Sequence, residues 1–299
     1  MQKTLLVIIG PTAVGKTALS IELAKRLGTE IVSGDSRQFY QEMSIGTAKP
    51  TEEELAMVPH HFINNRSIKE YYSAGDFEKE ALEKIETLFL SHDFVVAIGG
   101  SGLYMKALCE GLDEVPPVDM VLRNELISAY QNQGLGYLQE RMLSLNPEKL
   151  KQMDSNNPQR LMRAIELEMQ GGLVVKKAKA RPFKVVKIGL NMQRELLYER
   201  INQRVDVMMN MGLLNEVNAL LPYREVNAMQ TVGYSELVEH IDGLMTLEQA
   251  VDKIKQHTRN YAKRQMTWFR ADEGIHWFEP NKTDDIELFV KTEAAKKSS

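Results

Sequence analysis

Apolar positions in the first hundred residues follow the alternation of strand and helix expected of an α/β protein. The run Thr4–Ile9 is continuous and rich in β-branched residues, which is typical of a strand buried on both faces in a parallel sheet. Lys16–Leu27 carries one apolar stripe at helical spacing, and Gly28 directly after it is a helix-end signal. Further apolar runs are candidate strands at 31–33, 94–98, 185–190 and 275–278. Strands separated by helical stretches indicate βαβ units.

The pattern becomes purely helical in the middle of the chain. Pro116-Pro117 and Gly171-Gly172 bracket this segment, and the predicted helices are 118–131, 137–145 and 158–170. Residues 113–175 are therefore predicted to form a helical insertion domain, within an α/β core made of 1–112 and 176–299. After residue 191 the chain is predicted to be mostly helical. Thr246 to Gln249 reads as a capping box that opens a long helix to about Phe269.

Composition excludes several classes of protein. A chain of 299 residues that is 43% hydrophobic and 26% charged has ample material for a core and is neither disordered nor fibrous. The single cysteine, Cys109, excludes an intramolecular disulfide and a cysteine-based zinc site, and it favours a reducing, cytoplasmic location. Thr4–Ile9 is too short for a membrane span or a signal-peptide core.

Charge is unevenly distributed. The 37 basic and 41 acidic residues give a net charge of −4, which argues weakly against a phosphate-coated partner. However, 176–204 holds nine basic and two acidic residues, and 251–270 holds six and one. These segments would form a basic surface if they met in space. A solvated helix face is the alternative interpretation of each.

A phosphate-binding loop follows the first strand. The segment GPTAVGKT has four residues between its glycines and lies between a predicted buried strand and an amphipathic helix, which is the context that such a loop requires. Its backbone amides and the helix N-terminus would bind the phosphates of a di- or triphosphate, Lys16 would contact the outer ones, and Thr17 would bind Mg²⁺. The predicted phosphate-binding residues are Gly10, Pro11, Thr12, Ala13, Val14, Gly15, Lys16 and Thr17.

Motifs of the common nucleotide hydrolases are missing. None of the twelve aspartates is followed three residues later by glycine, as a GTPase switch requires, and the strand at 94–98 ends in Gly99-Gly100 rather than a Walker B aspartate. Asn281 to Asp284 spells a guanine-recognition motif, but it lies so far from the loop that we treat it as a coincidence. Two interpretations of the loop remain: a small-molecule kinase, or a related protein that uses the loop to bind a different phosphate.

Two polar turns follow predicted strands. Asp35 comes directly after 31–33, and Ser101 lies in the glycine-rich turn after 94–98. Because the carboxyl ends of parallel strands share one edge of a sheet, both turns are expected to open into the same cleft as the phosphate-binding loop. Asp35 is a candidate general base, although a helix N-cap is equally compatible with its position.

An ordered series of motifs resembles the bacterial tRNA dimethylallyltransferases of the IPP transferase family, from residue 4 to about 278. The motifs are GPTAVGKT (10–17), DSRQFY (35–40), IGTAKP (45–50), PHH (59–61), YSAGDF (72–77), GGSGLY (99–104), RLMRAIE (160–166), VGYSEL (232–237) and YAKRQMTWFR (261–270). Four polar positions depart from the usual family pattern, which puts local hydrogen bonding in doubt: Ser44, Asn64 and Asn157 replace aspartate, and Ser101 replaces threonine.

The resemblance implies a P-loop NTPase-like core with a helical insertion, and it implies an activity. Such an enzyme transfers the dimethylallyl group of dimethylallyl diphosphate to the exocyclic amine of the adenine 3′ of the anticodon and releases diphosphate. Asp35 would accept the amine proton, while Lys16, Thr17 and an arginine would hold the leaving diphosphate. Arg204 is the first candidate for that arginine and Arg200 the second.

The resemblance also implies where tRNA is met. We expect the protein to be a monomer that acts on the anticodon arm of tRNA. We expect it to bind no membrane. The insertion has six basic and nine acidic residues, so it is expected to make a few placed contacts while the basic segments attract phosphates generally. The tRNA-binding positions implied are Asp35, Ser36, Arg37, Gln38, Ser101, Arg123, Gln159, Arg160, Leu161, Met162 and Arg163.

Two other functions are weighed against this one. A P-loop nucleoside or small-metabolite kinase would consume ATP and need no isoprenyl diphosphate. A non-catalytic RNA-binding module would need no phosphate loop beside Asp35, and the complete loop argues against it. Trp268 and Trp277 are expected to anchor the C-terminal helix and strand to the core.

Overall fold

The computed structural model describes residues 2–172, 174–175 and 180–296. The chain divides into two compact units, which we call the core unit (1–110 and 180–299) and the insertion unit (111–179). The predicted insertion of 113–175 lies inside the second of these. No helix among the described residues is both long enough and apolar enough to cross a membrane.

A six-stranded, wholly parallel sheet organises the core unit, and this confirms the predicted α/β fold. Its strands are Thr4–Ile9 (β1), Ile31–Ser33 (β2), His60–His61 (β3), Phe94–Gly99 (β4), Lys184–Leu190 (β5) and Ile275–Phe278 (β6). The order is β3-β2-β4-β1-β5-β6, so the loop after β1 emerges near the centre of the sheet. Five strands were predicted; β3 was not, because two histidines carry no apolar pattern.

Helices cover the sheet and extend beyond it. In the core unit they are Lys16–Leu27 (α1), Glu52–Met57 (α2), Ala74–Leu88 (α3) and Gly102–Glu110 (α4), followed after the insertion by Arg194–Asn210 (α8), Leu213–Leu220 (α9), Tyr234–Ile241 (α10), Leu247–Arg270 (α11) and Thr283–Ala295 (α12). In the insertion unit they are Met120–Leu145 (α5), Pro147–Gln152 (α6) and Pro158–Met169 (α7). The predicted capping box opens α11, with Thr246 and Gln249 each bonded to the other's backbone amide.

Strand β1 separates two apolar layers. Its side chains alternate between the faces of the sheet, so Leu6 and Ile8 pack with residues of α1, α8 and α12. Leu5, Val7 and Ile9 pack on the other face with residues of α3 and α4. A third apolar cluster joins residues of α8 to α11 with the segment that contains Tyr40 and Met43. Burial on both faces explains the continuous apolar run of β1.

The insertion unit has its own small core. Helix α5 is broken at Gly134 (φ 75°, ψ −170°), which separates two helical pieces as the sequence pattern suggests. Asn157 caps α7 by accepting a hydrogen bond from the Arg160 amide at 3.1 Å. Apolar residues from both pieces of α5 pack against α7, among them Leu126, Leu138 and Ile165.

Candidate active site

The loop between β1 and α1 has the backbone geometry of an anion site. Gly10 (φ 148°), Ala13 (φ 65°) and Gly15 (φ 106°) all adopt positive φ. At Gly10 a Cβ would lie 2.7 Å from the Leu190 carbonyl oxygen, so a side chain does not fit there. The loop leads directly into the N-terminus of α1 at Lys16. Free amides and the helix dipole therefore meet at this point, which favours a bound anion.

Lys16 is one of the cations of this site. Its ammonium donates to the carbonyl oxygens of Gly10 at 3.0 Å and Pro11 at 2.8 Å. Burial lowers the pKa of Lys16 to about 8; Asp35 opposes this shift and Arg204 adds to it. A buried ammonium is poorly solvated, so it gains more from a bound phosphate than a surface lysine would.

Arg200 and Arg204 of α8 are four residues apart, so they share a helix face, and both line the same cavity of about 460 Å³ as Lys16 and Thr17. The Arg200 guanidinium lies beside the loop, 3.8 Å from the position of a Cβ at Gly15. Burial, and then Arg200, lower the pKa of Arg204. The structure thus brings together both arginines that the sequence singled out.

Asp35 stands where two cavities meet. It lines the 460 Å³ cavity of the phosphate loop and also a second cavity of about 310 Å³ that includes Arg37, Tyr261 and Arg264. Its Oδ1 accepts a hydrogen bond from the Arg37 amide at 3.0 Å. Its Oδ2 accepts none from the part of the chain that the structure describes. Asp35 is therefore a turn residue with one carboxylate oxygen left for a ligand.

Ser101 ties the two predicted turns together. The Ser101 hydroxyl accepts a hydrogen bond from the Ser36 amide and donates one to the Ser36 hydroxyl, both at 3.1 Å. Tyr261 of α11 lies beside them, and burial together with the charge of Asp35 raises its pKa to about 12. Its phenol is accordingly protonated at neutral pH. The turns after β2 and β4 form one wall, as their strand-end positions predicted.

Gln265 was not found from the sequence. It is 6% exposed, and its amide accepts from the Thr12 amide at 2.8 Å and donates to the Gly100 carbonyl at 2.9 Å. A Cβ at Gly100 would lie 2.5 Å from Gln265 Nε2. Gln265 thus bonds α11 to both the phosphate loop and the turn after β4. The sequence signal that could have identified Gln265 is a polar residue on the buried, apolar stripe of an amphipathic helix.

A second unpredicted residue, Glu216 of α9, holds the segment 44–48 that lines both cavities. Its carboxylate accepts backbone amide hydrogen bonds from Ser44 (3.0 Å), Ile45 (2.8 Å) and Gly46 (3.1 Å), and the Tyr234 hydroxyl donates to it at 2.6 Å. A Cβ at Gly46 would lie 2.5 Å from the Tyr234 ring, which explains the glycine. Three amides and a phenol satisfy this carboxylate, so the segment is held firmly.

Two departures from the family pattern converge on one lysine. Lys49 donates to the Asn64 amide oxygen at 2.6 Å and to the Ser44 hydroxyl at 3.5 Å, both neutral groups. Burial lowers the pKa of Lys49 to about 8, against the opposing charges of Glu216 and Glu42. Among the residues that the structure describes, the partners of this ammonium are neutral and none is a carboxylate.

The remaining residues predicted to touch tRNA fall into two groups. Gln38 is engaged within the core unit, because its amide donates to the carbonyl oxygens of Thr47 (3.2 Å) and Ala48 (3.1 Å). Arg37 donates to the Thr231 hydroxyl at 2.6 Å. Both side chains therefore shape the wall of the cavities.

In the insertion unit, burial separates the predicted residues. Leu161 and Met162 are buried in its apolar core, so we assign their side chains to packing. Arg123 is also buried, and its guanidinium is bound to the carboxylate of Glu166, which makes it unsuited to direct contact with RNA through that group. Arg163 bonds Glu166 at 3.1 Å as well, and only Gln159 and Arg160 of this set are well exposed.

The basic segment 176–204 is less available than its charge suggests. Residues 176–179 lie outside the described residues. Arg181 bonds Glu78 at 3.0 Å, Lys184 donates to backbone carbonyls of α12 and the residue after it, and Lys187 bonds Asp272 at 2.6 Å. These three cations hold structural elements together, so they are less available to a ligand than the charge count of the segment suggests.

Comparisons with known proteins agree with this geometry. Residues 38–272 match the IPP transferase family. The chain is 49% identical over 288 residues to the tRNA dimethylallyltransferase of Flavobacterium johnsoniae, covering 93% of each sequence. Its fold is similar to crystal structures of tRNA isopentenylpyrophosphate transferases from Bacillus halodurans (37% identity, TM-score 0.73, 98% of this chain and 97% of that one) and Staphylococcus epidermidis (36% identity, TM-score 0.71, 99% and 100%). The chain belongs to the IPP transferase family.

Proposed function

We propose that this protein is a tRNA dimethylallyltransferase that moves the dimethylallyl group of dimethylallyl diphosphate to the exocyclic amine of the adenine 3′ of the anticodon. One observation carries the assignment of roles. Asp35 lines both the cation-lined anion site and a second cavity, and one of its carboxylate oxygens accepts no hydrogen bond from the described residues. A donor bound by its diphosphate on one side can thus meet an acceptor amine on the other. Asp35 lies at the meeting point.

The diphosphate is assigned to the phosphate loop. The backbone amides of Gly15 to Thr17 at the α1 N-terminus and the cations of Lys16, Arg200 and Arg204 line this end of the cavity. Negative charge builds on the diphosphate as the allylic C–O bond breaks. Groups already aimed at that charge lower the barrier more than they tighten ground-state binding.

Mg²⁺ is assigned to Thr17 and the diphosphate. The described residues contain no group of three or more His, Cys, Asp or Glu side chains that could hold a metal by themselves. This fits Mg²⁺, which in phosphate sites takes one or two protein ligands and completes its shell with phosphate oxygens and water. When bound, the ion would neutralise charge on the leaving diphosphate. Lys16, Arg200 and Arg204 supply the protein's own share of that neutralisation.

The acceptor half is assigned to Asp35 and the wall beside it. The amine nitrogen attacks the allylic carbon, a C–N bond forms as the C–O bond breaks, and diphosphate leaves with the electron pair. The nitrogen then carries a positive charge, which it loses by giving a proton to Asp35. Tyr261 and the bonded pair Ser36–Ser101 form the polar surface on which the adenine would lie.

Contacts to the rest of the tRNA are assigned to exposed groups. Gln159 and Arg160, at the start of α7, are available in the insertion unit, and Arg163 lies beside them, half-buried. We retain direct tRNA contact for these three, while Arg123 would position α7 by bonding Glu166. Action as a monomer stays a prediction.

The test is transfer to a defined RNA. Purified protein is incubated with dimethylallyl diphosphate, Mg²⁺ and an anticodon stem-loop RNA, and the nucleosides are analysed by mass spectrometry. We expect the adenosine 3′ of the anticodon to gain one dimethylallyl unit, with diphosphate released in equal amount. An RNA with guanosine at that position is the matched control. ATP consumption with phosphorylation of a small acceptor, and no modified adenosine, would instead assign the protein to the kinases.

A further inference from the structure

A further cavity of the core unit lies outside the site described so far. It measures about 1110 Å³ and lies between α4, the C-terminal half of α11 and β6, over the apolar side chains of Val7 and Ile9. We call it the Trp268 cavity. The roles proposed for the phosphate loop and Asp35 leave it without a function.

One face of α11 lines this cavity. Asn260, Lys263, Arg264, Thr267 and Trp268 follow helical spacing along it, and the last four are exposed. The opposite stripe is buried and includes Gln265. Against the expectation of a core anchor, 46% of Trp268 is exposed. An indole of this size on the wall of an open cavity offers a large flat surface to a ligand.

The cations of the cavity are available. Within the described ranges, Lys106, Lys263 and Arg264 form no ion pair, whereas the acidic Glu110 and Asp272 of the same cavity are both bound by Lys187. Glu273 is the remaining acidic side chain in the wall. One cavity is thus lined by an exposed indole and by three cations that form no ion pair with the described residues, and sites for single-stranded nucleic acid combine these features.

The cavity shares a wall residue with the acceptor end of the candidate site. Arg264 lines both the Trp268 cavity and the 310 Å³ cavity that contains Asp35. The Trp268 indole also packs on Gly102, where a Cβ would lie 2.4 Å from Nε1. Gly102 directly follows Ser101, which bonds Ser36 beside Asp35. Arg264 and the turn Ser101-Gly102 therefore link Trp268 to the wall beside Asp35.

We infer that a nucleotide flanking the target adenine binds in the Trp268 cavity, with its base stacked on Trp268 and nearby phosphates bound by Lys106, Lys263 and Arg264. This rests on the proposed function, since it assumes that Asp35 receives an adenine from RNA. Stacking tolerates any base, because every base has a flat face. The site would add affinity for the loop without reading its sequence.

Intrinsic fluorescence tests the stacking directly, since the chain has two tryptophans. Trp277→Phe leaves Trp268 as the only emitter. We expect saturable quenching when this variant is titrated with the anticodon stem-loop. Replacing the stacked nucleotide by an abasic one should restore emission, while abasic sites farther along the loop should not. Unchanged emission at saturating RNA would overturn the inference.

Affinity supplies the second measurement. Trp268→Ala should weaken stem-loop binding roughly tenfold or more, and Trp268→Phe less, with the donor KM and the turnover at saturating RNA unchanged. Lys263→Ala should flatten the slope of log affinity against log salt by about 0.7–0.9. Lys79→Ala, an exposed lysine of α3, is the matched control and should leave the slope unchanged.

The outcomes separate the inference from the proposed function. One set of results would contradict the inference alone. In it, the Trp277→Phe variant modifies the RNA normally, the RNA does not quench Trp268, and the Trp268→Ala substitution does not lower the affinity for the RNA. RNA that is not modified by the wild-type protein contradicts the proposed function. Quenching by a polyglutamate peptide and not by RNA would assign the cavity to a protein partner and overturn the inference.

Discussion

The donor end of the active site and the Trp268 cavity are both cationic, but they are built differently. At the donor end, consecutive backbone amides and the buried ammonium of Lys16 surround a small space. In the Trp268 cavity, Lys106, Lys263 and Arg264 stand exposed on two helices around an open volume. A diphosphate is small and has a fixed shape, so a rigid, desolvated site suits it. An RNA loop carries many phosphates, so exposed charges and a stacking surface suit it better.

This difference predicts that variants of the two regions should change different steps. Donor-end variants should alter donor binding and chemistry, while Trp268 and Lys263 variants should alter RNA affinity and its salt dependence. Variants in both regions that changed the same kinetic constant would remove the distinction.

Asp35, at the junction, should show the largest effect. Asp35→Asn keeps the shape and removes the proton acceptor, so turnover should fall by about 10²–10⁴ fold, with stem-loop affinity nearly unchanged. Single-turnover transfer and RNA binding measured on the same preparation check this. Near-normal turnover would make Asp35 a turn residue only, held by its bond to the Arg37 amide.

Lys16 should come next. Lys16→Ala removes a buried cation from the leaving group, so the single-turnover rate should fall by about 10²–10³ fold and the donor KM should rise. Lys25→Ala, an exposed lysine of the same helix, is the control and should change neither constant. RNA affinity should also stay constant in Lys16→Ala. Equal behaviour of the two variants would argue against a phosphate role for Lys16.

Glu216 tests whether the shared wall of the two cavities must be rigid. Glu216→Gln weakens the bonds to the amides of Ser44, Ile45 and Gly46, so kcat/KM for the donor should fall about tenfold, with about 1–3 kcal/mol lost from the free energy of unfolding. Glu248→Gln on the exposed side of α11 is the control. If the variant has a lowered stability but an unchanged kcat/KM, the role of Glu216 is limited to stabilising the fold.

The smallest effect is expected at Lys49. Its pKa falls from 10.5 unfolded to about 8 folded, so the unfolded chain binds more protons between these values and stability rises with pH across that window. Asn64→Asp places a carboxylate on this ammonium and should raise its pKa. We expect the melting temperature to rise by about 1–3 °C at pH 7 and by less at pH 10. An equal change in melting temperature at pH 7 and pH 10 would mean that the charge of Lys49 does not cause the stabilisation.

Much of the donor end was predictable from the sequence because its determinants are local. The phosphate loop lies between a continuous apolar run and an amphipathic stripe, and both patterns follow from burial over a few successive residues. Asp35 and Ser101 were placed at one edge because parallel strands end on the same side of a sheet. Arg200 and Arg204 were candidates because of the family resemblance, and the structure places them on one helix face.

The tertiary structure decided what depends on residues far apart in the chain. Gln265 bonds Thr12 across 253 positions, and Glu216 reaches the Ile45 amide across 171, so no window of sequence contains either interaction. Charge counting also failed to distinguish cations that bind their own protein, such as Lys187, from cations left for a ligand, such as Lys263. The type and order of residues determined the fold and the phosphate site, since backbone propensity and burial periodicity act locally. Which side chains remain unpaired, and which of two tryptophans faces an open cavity, depends on what packs around each of them, and only the folded chain determines that.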